Sequence, residues 1–195
     1  YAAALVALGA VSVLYGAAVT IRQTDLKRLV AYSSVSHMGL VLVGVASVTA
    51  AGATVGLTGA ALQMFSHGVI TGLLFALVGL VYEKAHTRHI PDLGGLASAM
   101  PLAATVFLVA GLASLGLPGL SGFVAEALVF LGGFSAFPWA TGLAAFTVVL
   151  TAAYILFMLQ RTFFGPRKER WAHLPDARGV ELVPLALLLV PIVVV

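Results

Sequence analysis

Long apolar stretches alternate with short polar ones along the whole of this chain. Tyr1 to Ile21, Leu29 to Ala50 and Leu57 to Val81 are each of the length, about 20 mostly apolar residues, that an α-helix needs to cross a bilayer. Trp139 to Gln160 and the shorter Glu181 to Val195 have the same character. Between them Met100 to Phe134 is too long for one straight crossing and too short for two with a connection. Its middle, Leu115-Gly116-Leu117-Pro118-Gly119-Leu120-Ser121-Gly122, concentrates the residues that interrupt helices. The pattern predicts two half-helices joined by non-helical backbone within Gly116 to Gly122, with Gly116, Pro118, Gly119 and Gly122 making the break. Backbone freed in this way survives at membrane depth only where protein or water satisfies it, so the break should face the bundle interior. The fold class that follows is an all-α integral membrane bundle of six crossings, one of them discontinuous, in a single transmembrane domain over residues 1–195.

Charge gives this bundle a direction. The ten Lys and Arg fall into three clusters: Arg22, Lys27 and Arg28; Lys84 and Arg88; and Arg161, Arg167, Lys168, Arg170 and Arg178. Crossings alternate, so the connections near 22–28, 82–99 and 161–180 share one face, and the opposite connections, Thr49 to Gly56 and Gly133 to Pro138, carry no Lys or Arg. Basic connections stay on the cytoplasmic side, which orients the chain. Aromatic residues at segment ends, including Tyr82, Phe137, Trp139, Phe163, Phe164 and Trp171, suit the two interfaces. Gly68 and Gly72 stand at the spacing of close helix packing.

Composition agrees. The chain is 61% hydrophobic and 9% charged, against roughly 25% charged in a soluble domain, and its mean hydropathy is +1.10. A water-soluble fold is excluded. The pI near 9.5 would raise nucleic-acid binding in a soluble protein, but here the basic residues sit at segment ends, where topology accounts for them. Without Cys there is no disulfide, haem thiolate or thiolate-bound iron–sulfur cluster. The chain opens at Tyr1 inside an apolar run, with neither Met nor a basic leader region, so it does not read as a signal peptide but as a piece of a longer protein cut at both ends.

Once the clusters are set aside, His37, His67 and Glu126 are the ionisable residues left within the apolar segments. Ionisable groups at membrane depth cost energy and mark function by default. His37 lies ten residues beyond Lys27, about 15 Å along a helix, near the midplane. Lys27, Ser34 and His37 fall in one stripe of that helix, and Gln63, His67 and Thr71 repeat at i, i+4, i+8 on the next. Glu126 follows the break by four residues. Each feature also has a plainer account: a single His can serve only as an interhelical hydrogen bond, and Gly and Pro can mark only a kink. Together, two His of near-neutral pKa and one acid at similar depth favour a proton relay. Zinc ligation is disfavoured, because the three lie on three different segments with no H-E-x-x-H spacing.

The run from Gln23 to Gly39, Gln23-Thr24-Asp25-Leu26-Lys27-Arg28-Leu29-Val30-Ala31-Tyr32-Ser33-Ser34-Val35-Ser36-His37-Met38-Gly39, resembles the proton-translocating antiporter-like membrane subunits of respiratory complex I. The likeness continues through Gln63-Met64-Phe65-Ser66-His67-Gly68, Tyr82-Glu83-Lys84-Ala85-His86-Thr87-Arg88, Gly94-Gly95-Leu96, Met100-Pro101 and Leu115 to Glu126, and weakens after about Phe164. It is closest to the middle of the three such subunits, called NuoM in bacteria and NdhD in photosynthetic organisms. Relatives of the distal subunit and of Mrp-type antiporters usually carry Lys where Glu126 stands, and Lys where this chain has Thr71. The run His86-Thr87-Arg88 has a more bacterial look.

That resemblance implies helices nine through fourteen of a fourteen-helix protein built on two inverted repeats of five, including its broken twelfth helix. It implies His37 and His67 on a central hydrophilic axis and Glu126 as the terminal protonatable group, with Lys27, Ser34, Gln63 and Thr71 as supporting polar residues. An acid and two lysines on earlier helices would precede Tyr1. The chain itself is expected to carry no redox cofactor or metal. FMN, iron–sulfur clusters and quinone would belong to partner subunits of a proton-pumping NADH:quinone oxidoreductase. Its partners would be the other membrane subunits, above all the two neighbouring antiporter-like ones, in a bacterial cytoplasmic membrane. The alternative is a subunit of a Mrp-type cation/proton antiporter, driven by an ion gradient instead of electron flow.

Overall fold

A computed structural model of the chain describes residues 1–49 and 53–194. Among the described residues seven α-helices follow one another: α1 (Ala2–Ile21), α2 (Leu26–Ala46), α3 (Ala53–Ala85), α4 (Pro101–Ser114), α5 (Ser121–Ala136), α6 (Pro138–Thr162) and α7 (Leu182–Val194). The expected segment ends Ala50 and Val195 lie outside the described residues. Helices α1, α2, α3 and α6 are long and apolar enough to cross a membrane, whereas α4 and α5 are each shorter and together make the interrupted stretch.

Local chemistry moves several boundaries from where hydropathy puts them. α2 starts at Leu26, not Leu29, because the Asp25 carboxylate accepts the Arg28 backbone N–H at 3.0 Å and satisfies one of the free donors at a helix start. α3 carries on past Val81 through Glu83 and Lys84, and ends where His86 takes up a φ of +51°. α6 has Pro138 in its first turn, where the missing N–H costs nothing.

α1 and α2 form a hairpin of close approach. A Cβ added to Gly39 would stand 2.8 Å from the Gly9 carbonyl oxygen, and one on Gly16 would stand 2.5 Å from the Ser36 nitrogen. Ser36 Oγ donates to the Val13 carbonyl across the same contact at 2.9 Å. Gly68 and Gly72 do not pack in this way: nothing lies within 4 Å of a Cβ on Gly68, and only the Leu188 side chain on Gly72. α3 is the central helix, packed against α2, α4, α5 and α7. Leu73, Leu74 and Leu77 of α3 share the main core with Leu26 and Leu29 of α2, Phe107 of α4 and Met158 of α6. Phe163 belongs to that core too, tilted against Phe107 at 4.9 Å between ring centroids, so it is not an interfacial residue as its place at a segment end suggested.

At one end of the bundle the three basic connections interlock. The Leu26 N–H donates to the Arg88 carbonyl at 2.9 Å, and the Ile90 N–H to the Thr24 carbonyl at 2.8 Å. Arg88 Nε lies 2.7 Å from Asp25 Oδ2. The Ala97 N–H donates to the Phe163 carbonyl at 3.1 Å. Lys84 Nζ, largely buried, donates to the Asp176 carbonyl at 2.8 Å and to Glu181 Oε2 at 3.0 Å. The Asp176 carboxylate in turn accepts the Leu102 and Ala103 N–H groups at 2.7 and 3.1 Å, serving as a cap for α4 from more than seventy residues away.

Candidate functional site

The three ionisable residues picked out of the apolar segments meet in the middle of the bundle. His37 comes from α2, His67 from α3 and Glu126 from α5, and all three are buried. His37 Nδ1 lies 3.5 Å from Glu126 Oε1. The two imidazoles stack loosely, with ring centroids 4.8 Å apart and planes inclined by 33°. Gln63, one turn before His67 on α3, brings Nε2 to 3.4 Å from the same His37 Nδ1, and His67 Nε2 reaches Ser34 Oγ at 3.0 Å.

This geometry gives His37 Nδ1 two competing neighbours. The Gln63 amide N–H is a donor, which suits a bare ring nitrogen. The Glu126 carboxylate is an acceptor, which suits a protonated one. The same nitrogen is thus within reach of both a donor and an acceptor. His67, one ring away, has its own partner in the Ser34 hydroxyl, which can donate or accept.

The break shapes the acid's surroundings. Gly116 has φ +73°, and a Cβ there would stand 2.6 Å from Glu126 Oε2. Leu117-Pro118-Gly119-Leu120 closes by the Leu120 N–H on the Leu117 carbonyl at 3.2 Å, with Gly119 at φ +94°. Pro in the second place and a positive-φ Gly in the third make a type II turn. The non-helical backbone runs from Leu115 to Leu120, so Gly122 is not part of the break. It lies in the first turn of α5, where any Cβ would collide with the Ala113 carbonyl, and close packing explains it instead. The outer part of the turn, 117–119, is exposed on this chain's surface, and only Gly116 looks toward the buried acid.

Between α2, α3, α4 and α5 lies a cavity of about 10 Å³, bounded by His37, Gln63, Ser66, His67, Ser114 and Glu126 among others. That is close to the smallest volume that holds one water. His37 Nε2, Gln63 Oε1 and Ser114 Oγ have no partner among the described residues, and neither has Ser121 Oγ close by. Ser66 Oγ donates to the Ser121 carbonyl at 3.3 Å, tying α3 to the start of α5. Ser66, Ser114 and Ser121 escaped the sequence reading, because serine in an apolar helix is too common to stand out. The one signal was position: Ser66 precedes His67, and Ser114 and Ser121 flank the break.

Two supporting residues lie apart from this cluster. Lys27 is exposed at the start of α2, beside a cavity lined by Phe75, Tyr82 and Arg88. Thr71 Oγ1 donates back to the His67 carbonyl at 2.6 Å and so serves its own helix. Among the described residues no group of three His, Cys, Asp or Glu is arranged to hold a metal ion.

The sequence pattern of the family described as NADH:quinone oxidoreductase/Mrp antiporter, TM, matches residues 1–151. NAD(P)H-quinone oxidoreductase chain 4 of Acaryochloris marina is 44% identical over 203 residues, which take in 99% of this chain and 37% of that protein. The chain thus spans little more than a third of the curated relative's length. Among solved structures, a chain of respiratory complex I from Thermus thermophilus with bound NADH superposes with a TM-score of 0.91 at 38% identity, covering 98% of this chain and 40% of that one. A chain of the Mrp complex from Dietzia sp. DQ12-45-1b gives 0.80 at 25% identity, covering 86% of this chain and 31% of that one.

Proposed function

The chain belongs to the family of transmembrane subunits shared by NADH:quinone oxidoreductases and Mrp antiporters, and from that premise we propose that it is the C-terminal part of a membrane subunit of a proton-pumping NADH:quinone oxidoreductase. It is a multi-pass membrane protein of the antiporter-like fold. Its work is to move protons through the buried cluster of His67, His37 and Glu126. FMN, iron–sulfur clusters and quinone handle the electrons in partner subunits, and the free energy they release drives a change in protonation along this axis. The other membrane subunits, especially the two neighbouring antiporter-like ones, lie beside it in a bacterial inner membrane, with the interlocked basic face toward the cytoplasm.

The observation that carries this reading is the approach of His37 Nδ1 to Glu126 Oε1 at 3.5 Å, with His67 stacked on the other side. A charged side chain at the centre of a membrane helix costs roughly 2.5–3.5 kcal/mol. Three titratable groups from three helices, gathered about a polar cavity, compensate one another and give a proton three successive resting places. The Mrp-type reading draws on the same fold. Higher identity to the complex I chain, and Glu126 where those antiporters usually have Lys, favour the redox-driven complex.

Glu126→Gln in the full-length protein keeps size and hydrogen bonding and removes titration. The complex should assemble with its redox subunits and oxidise NADH, while vesicles show a lowered ratio of protons moved to electrons transferred. Wild-type stoichiometry would refute the role of Glu126, and co-purification with small antiporter subunits alone would favour the Mrp-type reading. Orientation is tested separately. Glu169→Cys and Ser135→Cys, with any cysteines of the rest of the full-length protein replaced, report from exposed positions at opposite ends of the bundle. Impermeant maleimide should reach the first from the cytoplasm and the second from outside.

A further inference from the structure

On the basic face, packed side by side, α1 and α6 end above an open trough that the proton-handling cluster does not use. Two adjoining cavities of about 510 and 220 Å³ form it and share Ile90, Pro91, Phe157 and Arg161 as walls. Arg22, the C-cap of α1, lines the smaller, and Lys168 lines the larger. Arg161, in the last turn of α6, holds its guanidinium 4.0 Å from the centroid of the Phe157 ring. Neither Arg22 nor Arg161 has a carboxylate partner among the described residues. Two acids of the adjoining connections are engaged elsewhere: Asp25 pairs with Arg88 at 2.7 Å and Asp92 with His89 at 3.2 Å. Glu169, beside Lys168, is exposed and does not line either cavity. Lys168 Nζ donates to the Pro91 carbonyl at 2.7 Å, which sets its positive end on the rim.

Below the cations the surface turns apolar. Phe157, Val149 and Phe146 are exposed on α6 and lie on one side of it by their 3.6-residue spacing. From Phe157 to Phe146 that stripe runs about 16 Å along the helix, roughly half the thickness of a bilayer's hydrocarbon core. Two unpaired guanidiniums at the membrane surface, with an apolar stripe one acyl chain long beneath them, match an amphiphile that carries a negative phosphate. A free anion would use the first feature and leave the second unexplained.

We propose that this trough is a binding site for an anionic phospholipid, its phosphate held by Arg22 and Arg161 with Lys168 at the rim, and an acyl chain laid along Phe157, Val149 and Phe146. Guanidinium forks suit phosphate oxygens, and basic pockets between transmembrane helices suit anionic headgroups. A zwitterionic headgroup brings its own cation and gains less from the pair.

The test uses the full-length protein in its native assembly, in nanodiscs of equal parts phosphatidylglycerol and phosphatidylcholine, with tightly held lipid read by native mass spectrometry after detergent extraction. The wild type should keep phosphatidylglycerol in preference to phosphatidylcholine. Arg22→Gln with Arg161→Gln should weaken that retention by about five-fold per charge removed. Arg28→Gln, which removes a cation from the same face outside the trough, should leave it unchanged. Equal retention of the two lipids, or a double variant that holds phosphatidylglycerol like the wild type, would overturn the site. Displacement by low millimolar inorganic phosphate would assign it to the free anion and overturn it as a lipid site. If the double variant does not assemble, phosphatidylglycerol with a photoactivated headgroup decides on the unaltered protein. Cross-links should fall at Arg22 and within 157–168, whereas labelling confined to other segments, or a neighbouring polypeptide cross-linked into the trough, overturns the proposal.

Discussion

The carboxylate of Glu126 fills the space that a side chain on Gly116 would need, for a Cβ built there stands 2.6 Å from Oε2. Gly116 also has φ +73°, a conformation that costs an L-residue about 1–2 kcal/mol. Gly116→Ala should therefore do two things at once: destabilise the chain by roughly that amount and push the acid off its place beside His37. The expected result is an assembled complex with lower heat stability and a reduced proton-to-electron ratio. Normal pumping together with the lower heat stability would show that the acid's position is not set by this contact.

Ser34 and His67 make a second test. Their 3.0 Å contact is the one hydrogen bond on the His67 ring among the described residues. Ser34→Ala removes it and leaves a buried ring nitrogen without a partner, a loss of about 1–3 kcal/mol. If the histidine carries protons, the pH profile of pumping should move while NADH oxidation by the uncoupled complex does not. A structural role alone would lower stability and leave the profile where it was.

Asp176 caps α4 although it lies more than seventy residues further along the chain. Asp176→Ala frees two N–H groups at the start of that helix and should cost about 0.5–2 kcal/mol. Lys84 would keep its bond to the residue 176 carbonyl, since that is backbone. The measurement is heat inactivation, with Asp92→Ala on the same face as the comparison. Equal losses for the two variants would show that the cap contributes nothing of its own.

Acid should loosen the basic face through Asp25 and Glu181. Burial pushes the Asp25 carboxyl up, but the Arg28 backbone N–H and the Arg88 guanidinium outweigh it and hold the group below its ordinary value. The Arg178 backbone N–H, then the Lys84 ammonium, hold Glu181 below its own. A depressed carboxyl contributes stability that is fully present above the unfolded value and lost as pH falls through the folded one. Protection of the Leu26 amide from hydrogen exchange, corrected for intrinsic rate, should thus hold from pH 8 to 5 and fall only below about pH 4. A fall beginning well above about pH 5 would show that these two carboxylates do not set the protection.

How much of this could be read from residues alone depended on how loudly each one speaks. Charge in an apolar segment is loud, and His37, His67 and Glu126 stand out from the sequence itself. Gly116, Pro118 and Gly119 likewise announced a break that the backbone contains. Gly122 misled because a glycine required by a neighbour's carbonyl has the same letter as one required by a turn. Asp25 was passed over because hydropathy sees where apolar residues begin, while a cap sits just outside them. The Lys84, Asp176 and Glu181 latch joins residues more than ninety apart, a pairing no local pattern contains. Phe163 went astray for a related reason, since a segment end along the chain is here the packed seam between connections.

The two half-helices are held in different ways, and the difference has a consequence for motion. α4 is anchored at its outer end by Asp176, while α5 is pressed so tightly on α3 that a Cβ on Gly59 would stand 2.5 Å from the Val129 nitrogen. Neither half can tilt freely, so the slack between them gathers in the turn from Leu115 to Leu120, with Glu126 on its inner side and Leu117 to Gly119 on the outer surface of the chain. Such a turn has the mechanics of a diaphragm: a few soft dihedrals between two fixed rims, free to bend where the helices on either side are not.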